Sequence, residues 1–136
     1  MEGRLKWIEK MQFAAQIREH SFLFDTTFDF GGTNSAPTPM EALLMSIAGC
    51  TAMDIVHILK KQRQSLKEFR IDIKGTRRDK HPKAFNKIEI KYIFKGENLT
   101  EKGVERAIKL SEEKYCSAME LVRPKAEIIT TYVIEP

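Results

Sequence analysis

Residues 40–59 read MEALLMSIAGCTAMDIVHIL, the most apolar run of the chain, with one cysteine, Cys50, near its middle and two acidic side chains, Glu41 and Asp54. The run is entered through a clear helix start. Thr38 can cap it, Pro39 suits the first helical position because its missing N–H costs nothing there, and Glu41 lies three residues past Thr38, as a capping box requires. The helix therefore begins at Pro39 and ends near Lys60, Lys61, Gln62 and Arg63. Leu43, Ile47, Met53, Ile55, Ile58 and Leu59 fall on more than one face, so such a helix needs cover on several sides. Its uncharged part, Ala42 to Met53, falls short of the ~20 residues a bilayer core requires, which favours a buried helix over a membrane span.

Upstream, Leu5 and Trp7 alternate with Lys6 and Ile8, Phe13, Ala15 and Ile17 alternate with Gln12, Gln16 and Arg18, and a third short run covers Ser21 to Phe24 after a turn at Glu19 and His20. These spacings predict three strands. Gly31, Gly32, Asn34, Ser35 and Pro37 then break regular structure before the helix cap. Downstream, Phe69, Ile71 and Ile73 alternate with Arg70, Asp72 and Lys74, and Ile88, Ile90, Tyr92 and Phe94 with Glu89, Lys91 and Ile93, the pattern of an antiparallel pair. Thr100 to Tyr115 predicts an amphipathic helix with Val104, Ala107, Ile108 and Ser111 on its apolar stripe. Ser117 and Glu120 suggest a capping box for a short helix ending at Arg123 and Pro124, and Glu127 to Ile134 a last strand. The order βββ, α, ββ, α, α, β is an α+β arrangement.

With 31% charged and 42% hydrophobic residues, the 136-residue chain is expected to form one globular domain over residues 1–136. The net charge of +4 is spread out. Its densest basic run, Arg77, Arg78, Lys80 and Lys83, lacks interleaved aromatics and reads as a solvated loop, so neither nucleic acid nor membrane is an expected partner. No leader-like segment precedes Leu5, and a reducing, cytoplasmic setting is the expectation.

Cys50 and Cys116 stand sixty-six positions apart, with no second cysteine or histidine at ligand spacing beside either, which argues against zinc, and no cofactor is expected. Three readings stay open on the residues alone. Both thiols can be small core hydrophobes. They can form a redox pair, in which one attacks an electrophile and the other resolves the product, provided the fold brings them together. A structural disulfide is the third.

Ser35-Ala36-Pro37-Thr38-Pro39-Met40-Glu41 leading to Ala48-Gly49-Cys50, with Glu113-Lys114-Tyr115-Cys116-Ser117 near the end of the second predicted helix, resembles the osmotically inducible protein C and organic hydroperoxide resistance (OsmC/Ohr) family. Pro39 to Glu41 and Cys50 to Asp54 are most similar to its Pro-Met-Glu branch. The resemblance implies antiparallel sheets wrapped around two central helices in an intertwined homodimer. It also implies a thiol-dependent peroxidase, with Cys50 as the attacking thiol, Cys116 as the resolving thiol, and an activating arginine on an early strand, where Arg18 matches best. Arg70, Arg123 and His57 are the other candidate cations.

The physics of Cys50 makes a cation necessary. Only a thiolate is strongly nucleophilic. Cys50 lies about three turns from Thr38, at about 3.6 residues per turn, beyond reach of the helix dipole, and Asp54 at i+4 opposes ionisation. Where the family's peroxidases carry a glutamate directly after the helix-entry proline, this chain has Met40. Glu41, one position later, is turned by about 100° and is explained by the capping box. The expected chemistry is reduction of an organic hydroperoxide, favoured by Ile47, Met53 and Phe28 or Phe30, through a Cys50 sulfenic acid that condenses with Cys116 and is reset by a dithiol. The alternative from another class is a dimeric binding module for a hydrophobic small molecule, with the cysteines as packing.

Overall fold

Thr38 and Glu41 start the long helix as their spacing requires. Glu41 N–H donates to Thr38 Oγ1 at 3.2 Å and Thr38 N–H donates back to Glu41 Oε1 at 3.0 Å, which accounts for Glu41 without any catalytic role. In the computed structural model, which describes residues 1–136, this helix, α1, runs Pro39–Lys61. The backbone clusters into two compact units, Met1–Leu43 and Leu44–Pro136.

The first unit is an antiparallel meander of β1 (Gly3–Glu9), β2 (Gln12–Ile17) and β3 (His20–Phe24), in that order. Glu9 pairs with Gln12 and Ile17 with His20, leaving two-residue turns at Lys10-Met11 and Arg18-Glu19. Lys10 (φ 48°) and Arg18 (φ 51°) take the left-handed backbone region there. Arg18 is thus a turn residue, one step outside the strand that its sequence alternation suggested, and the turn comes one residue earlier than expected.

The irregular stretch after β3 is organised by one carboxylate. Asp25, only 2% exposed, accepts hydrogen bonds from Thr26 N–H (2.7 Å), Thr33 N–H (3.2 Å), Thr33 Oγ1 (2.8 Å), Ser35 N–H (3.0 Å) and Ser35 Oγ (2.7 Å). Gly32 must be glycine here, because a Cβ would stand 2.1 Å from Thr26 O. The loop replaces water around the buried charge with five donors, the arrangement that makes such burial tolerable.

In the second unit, β4 (Ser65–Arg77) and β5 (Phe85–Glu97) form the expected antiparallel hairpin, and the basic residues between them are exposed loop. β6 (Glu127–Glu135) joins the other edge of β5 in parallel, so this sheet is mixed, where the resemblance implied antiparallel pairing throughout. A strand that returns through α2 (Glu101–Leu110) and α3 (Ser117–Val122) has a crossover long enough for a parallel approach. β5 is central and contributes Ile88, Ile90, Tyr92 and Phe94 to the core, with Ile47, Ile55 and Leu59 of α1, Val104 and Ala107 of α2, and Met119 of α3. Phe69 stacks on Phe94 with centroids 4.7 Å apart.

Two local details differ from expectation. The predicted helix over 100–115 is α-helical to Leu110 and then opens into a π turn, Ser111–Tyr115, closed by Cys116 N–H on Ser111 O at 2.7 Å. α3 is capped by Cys116, whose Sγ accepts Met119 N–H at 3.4 Å, and the expected Ser117–Glu120 capping box is not the cap. The π turn inserts one residue of extra arc and so advances the cap position to the thiol. By length and mean hydropathy (1.8 over its most apolar window), α1 is also long enough to cross a bilayer, contrary to the sequence expectation, and a third of that window is buried within the chain.

Burial works to raise the Asp25 pKa, but the hydrogen bonds of Ser35, Thr33 and Thr26 outweigh it and hold the carboxyl well below the usual carboxylate range. A group whose folded pKa is depressed stabilises the fold fully above its unfolded pKa of about 3.9 and loses that contribution as pH falls toward the folded value. Asp25→Asn is expected to lower the thermal midpoint at neutral pH, with the gap to wild type narrowing below about pH 4. A pH series of melting curves on the two proteins checks this.

Candidate functional site: a paired thiol beneath α1

α1 presents Cys50, Thr51 and Asp54 in succession, and the i, i+4 spacing puts Cys50 and Asp54 on one face. The π turn delivers the rest. Its wide arc sets Ser111, fully buried, against Asp54 Oδ2 at 3.0 Å, with the Ser111 hydroxyl donating, and then turns the chain so that Cys116 enters from the next position but four. The reactive atoms of Cys50, Asp54 and Cys116 all lie within 4.8 Å of one another, and both cysteines are free thiols. Sixty-six residues of separation are closed by the fold.

The two sulfurs have different surroundings. Cys116 is 4% exposed, while Cys50 is partly open. Thr51, with no exposed surface, has its Oγ1 3.0 Å from Ile47 O and 3.2 Å from Cys116 Sγ. A hydroxyl carries one proton. It donates to the Ile47 carbonyl while Cys116 is a thiol, and it can turn to donate to a Cys116 thiolate. Burial pushes the Cys116 thiol up from its ordinary pKa, and this outweighs the lowering by the Thr51 and Met119 hydrogen bonds, while Cys50 beside it adds to the rise.

A second polar chain supports the π turn. Tyr92 OH donates to Glu112 Oε1 at 2.7 Å, Thr130 Oγ1 donates to the same carboxylate at 2.8 Å, and Arg123 Nη2 donates to the Glu112 carbonyl. Burial, with the Glu112 charge second, pushes the Tyr92 hydroxyl well above the ordinary phenol range, so Tyr92 remains a donor. A groove of about 230 Å³ lined by Glu112, Glu113, Tyr115, Cys116 and Glu120 opens at the buried sulfur, and a larger cavity of about 510 Å³ beside it is lined by Asp54, His57, Lys61, Arg106 and Tyr115.

Among the candidate cations, Arg70 ion-pairs with Asp72 (3.7 Å) and Glu135 (4.0 Å) on the sheet, and Arg123 is committed to the Glu112 carbonyl. His57 is exposed and faces the larger cavity with Asp54. Arg18 is exposed in the β2–β3 turn of the first unit. Of the side chains expected to make an apolar lining, Ile47 is wholly buried and so belongs to the core, whereas Met53 is 77% exposed, Phe28 72% and Phe30 76%. Thr51 and Ser111 were not recognised as site residues. Their signal was a hydroxyl on an otherwise apolar helix face.

Fold and site together define an α+β protein with a buried and a half-open thiol facing each other beside a carboxylate. The OsmC-like protein family profile matches residues 32–131. Protein YhfA of Escherichia coli (strain K12) is 34% identical over 135 residues, covering 98% of both chains. The crystal structure of a hypothetical protein from Aquifex aeolicus VF5 is 38% identical, with a TM-score of 0.87 over 98% of this chain and 95% of that one. An organic hydroperoxide resistance protein from Elizabethkingia anophelis shares the fold at 13% identity, with a TM-score of 0.75 over 98% and 94% of the two chains. The chain belongs to the OsmC-like family.

Removing the Thr51 hydroxyl with a side chain of the same shape, Thr51→Val, is expected to raise the Cys116 thiol further and to cost about 1–2 kcal/mol of stability through the lost buried hydrogen bond. Thiolate absorbance against pH in a Cys50→Ser background reads the first effect, and denaturant melts read the second.

Proposed function

We propose that this chain is a thiol-dependent peroxidase that reduces organic hydroperoxides. The observation that carries this reading is the approach of the Cys50 and Cys116 sulfurs to within 4.8 Å. Their environments divide the roles. Cys50 is the more accessible and attacks, while buried Cys116, held protonated, waits for the product. Cys50 thiolate takes the distal peroxide oxygen, the O–O bond breaks, and the alkoxide leaves as an alcohol after taking a proton from solvent. The Cys116 sulfur then displaces hydroxide from the Cys50 sulfenic acid, its own proton departing with that hydroxide as water, and an S–S bond forms. A cellular dithiol returns two electrons and two protons by exchange, becoming a disulfide itself.

Support for the substrate class comes from the Elizabethkingia anophelis relative's name, organic hydroperoxide resistance protein. Arg18 enters as the activating cation from its match to the family position. The protein works as a homodimer in a reducing cytoplasm, as part of a peroxide stress response. The apolar face that α1 leaves uncovered, with Met45 59%, Met53 77% and Val56 45% exposed, supports a second copy as its cover. The reading as a carrier of a hydrophobic molecule has less behind it, since Asp54, Lys61 and Arg106 interrupt the apolar lining that Ile58 and Leu110 give the larger cavity.

Reduced protein mixed with cumene hydroperoxide should lose two thiols per chain. Cys50→Ser should lose none, and Cys116→Ser should stop at a sulfenic acid that a dimedone-type reagent traps. Arg18→Ala should slow the loss. Thiol counts unchanged by peroxide in the wild-type protein would reject the mechanism. For the assembly, light scattering on Met53→Glu should report a shift from a two-chain toward a one-chain mass.

A further inference from the structure

The donor set at the paired thiol suits more than sulfur chemistry. Two sulfurs and a carboxylate oxygen from three separate positions, two on α1 and one at the head of α3, converge within 4.8 Å. Tetrahedral zinc, with bonds of about 2.3 Å to sulfur and about 2.0–2.2 Å to oxygen, spaces such donors about 3.5–3.8 Å apart. The atoms therefore need to close by no more than about 1.3 Å.

The surroundings are those of a supported ligand set. Ser111 donates to Asp54 Oδ2 at 3.0 Å and so orients the carboxylate that supplies the third donor. The Thr51 hydroxyl and the Met119 N–H both approach Cys116 Sγ, at 3.2 and 3.4 Å, and can donate to it as a thiolate. Such outer contacts orient ligands and tune their basicity. Three donors come from the chain, the number that a zinc site completed by water takes from its protein. Charge points the same way. Ionising both thiols beside a carboxylate gathers three negative charges in one partly buried space, a state that a divalent cation relieves. Thiolate donors select a thiophilic ion over magnesium or calcium. The spacing argument against zinc counted only cysteine and histidine neighbours in sequence. It missed the carboxylate one helical turn from Cys50 and the long-range approach of Cys116.

We propose that Cys50, Asp54 and Cys116 form a zinc site in the reduced protein, and that zinc bound there withholds the dithiol from peroxide. On binding, each thiol gives up its proton to solvent and no electrons move, so the site stays reduced and reopens when the ion leaves. The binding claim stands on geometry alone, and the withholding claim rests on the peroxidase reading.

Anaerobic titration of reduced full-length protein with cobalt(II), a spectroscopic stand-in for zinc, should give thiolate-to-metal charge-transfer bands and tetrahedral ligand-field bands that saturate at one ion per chain. Added zinc should erase them. Cys50→Ser and Cys116→Ser should each lose most of the charge-transfer intensity. Ser111→Ala, which keeps all three ligands, should weaken binding roughly 10- to 100-fold, with circular dichroism confirming its fold. Absence of bands in the wild-type protein, or bands unchanged in Cys116→Ser, overturns the site. One equivalent of zinc should then suppress thiol loss to cumene hydroperoxide and a chelator should restore it. Unimpeded thiol loss in the zinc-loaded protein overturns the withholding claim. A metal-free protein that ignores peroxide counts against the peroxidase reading and the withholding claim together, and leaves the cobalt result to decide the site.

Discussion

The seating of Cys116 against α1 is the constraint on which the site depends. A thiol at the head of a short helix has no reason of its own to meet a thiol sixty-six residues back along the chain. It does so because Thr51 and Asp54, both facing inward from α1, find partners in Cys116 and Ser111 at opposite ends of one π turn. Leaving a partly buried carboxylate without its donor costs more than a hydrogen bond contributes when made, so the Ser111–Asp54 contact fixes the register between α1 and the turn, and the Thr51–Cys116 contact, whose hydroxyl is already satisfied by the Ile47 carbonyl, adds to it. The turn's extra residue is what lets both be satisfied at once. A plain α-helical continuation, at about 100° per residue, would leave Cys116 about 140° around the helix from Ser111.

Elements set by neighbouring residues were legible in the sequence. The start of α1 is written in Thr38, Pro39 and Glu41, and the β4–β5 hairpin in a strict alternation of Ile and charged residues, because capping and pleat are local rules. Features set by distant residues were not. Nothing in Glu127–Glu135 announces that it will lie parallel to β5, since one strand's pattern is the same for either direction of a partner. The Ser117–Glu120 spacing satisfied a capping rule, yet Cys116 took the cap because the preceding π turn had already fixed its backbone in an extended conformation. At the site, the two cysteines were visible as isolated residues. Their hydroxyl supports were not, as Thr51 and Ser111 gain meaning only once they face each other's helices.

On the proposed peroxidase reading, the uneven burial of the two sulfurs would divide work that symmetry leaves undecided. In a low-dielectric surrounding the charged form of a thiol is penalised, so the deeper sulfur keeps its proton and the shallower one is the better nucleophile as soon as a cation favours its thiolate. The presence of Asp54 one turn from Cys50 needs a reason. Its hydrogen bond from Ser111 supplies a structural one, because the carboxylate anchors the π turn that carries Cys116. The acid beside Cys50 is thus part of what brings Cys116 within range.

Redox chemistry and metal binding then become two answers to a single electrostatic problem. Two thiolates and a carboxylate in one partly buried space repel one another, and the repulsion grows as water is excluded. Forming an S–S bond removes two of the charges by oxidation, and binding a divalent cation offsets two of them without it. Both answers demand the same thing of the fold, sulfurs close enough to touch a common point, and both fail if Cys116 is released from Thr51. They differ in reversibility. Oxidation requires an outside dithiol to undo it, while a metal leaves by mass action. With Cys116 held by the Thr51 hydroxyl and the Met119 N–H, and Asp54 by the Ser111 hydroxyl, the proposed oxidised and metal-bound states would compete for one site, and the peroxide level and free-ion level around it would decide between them.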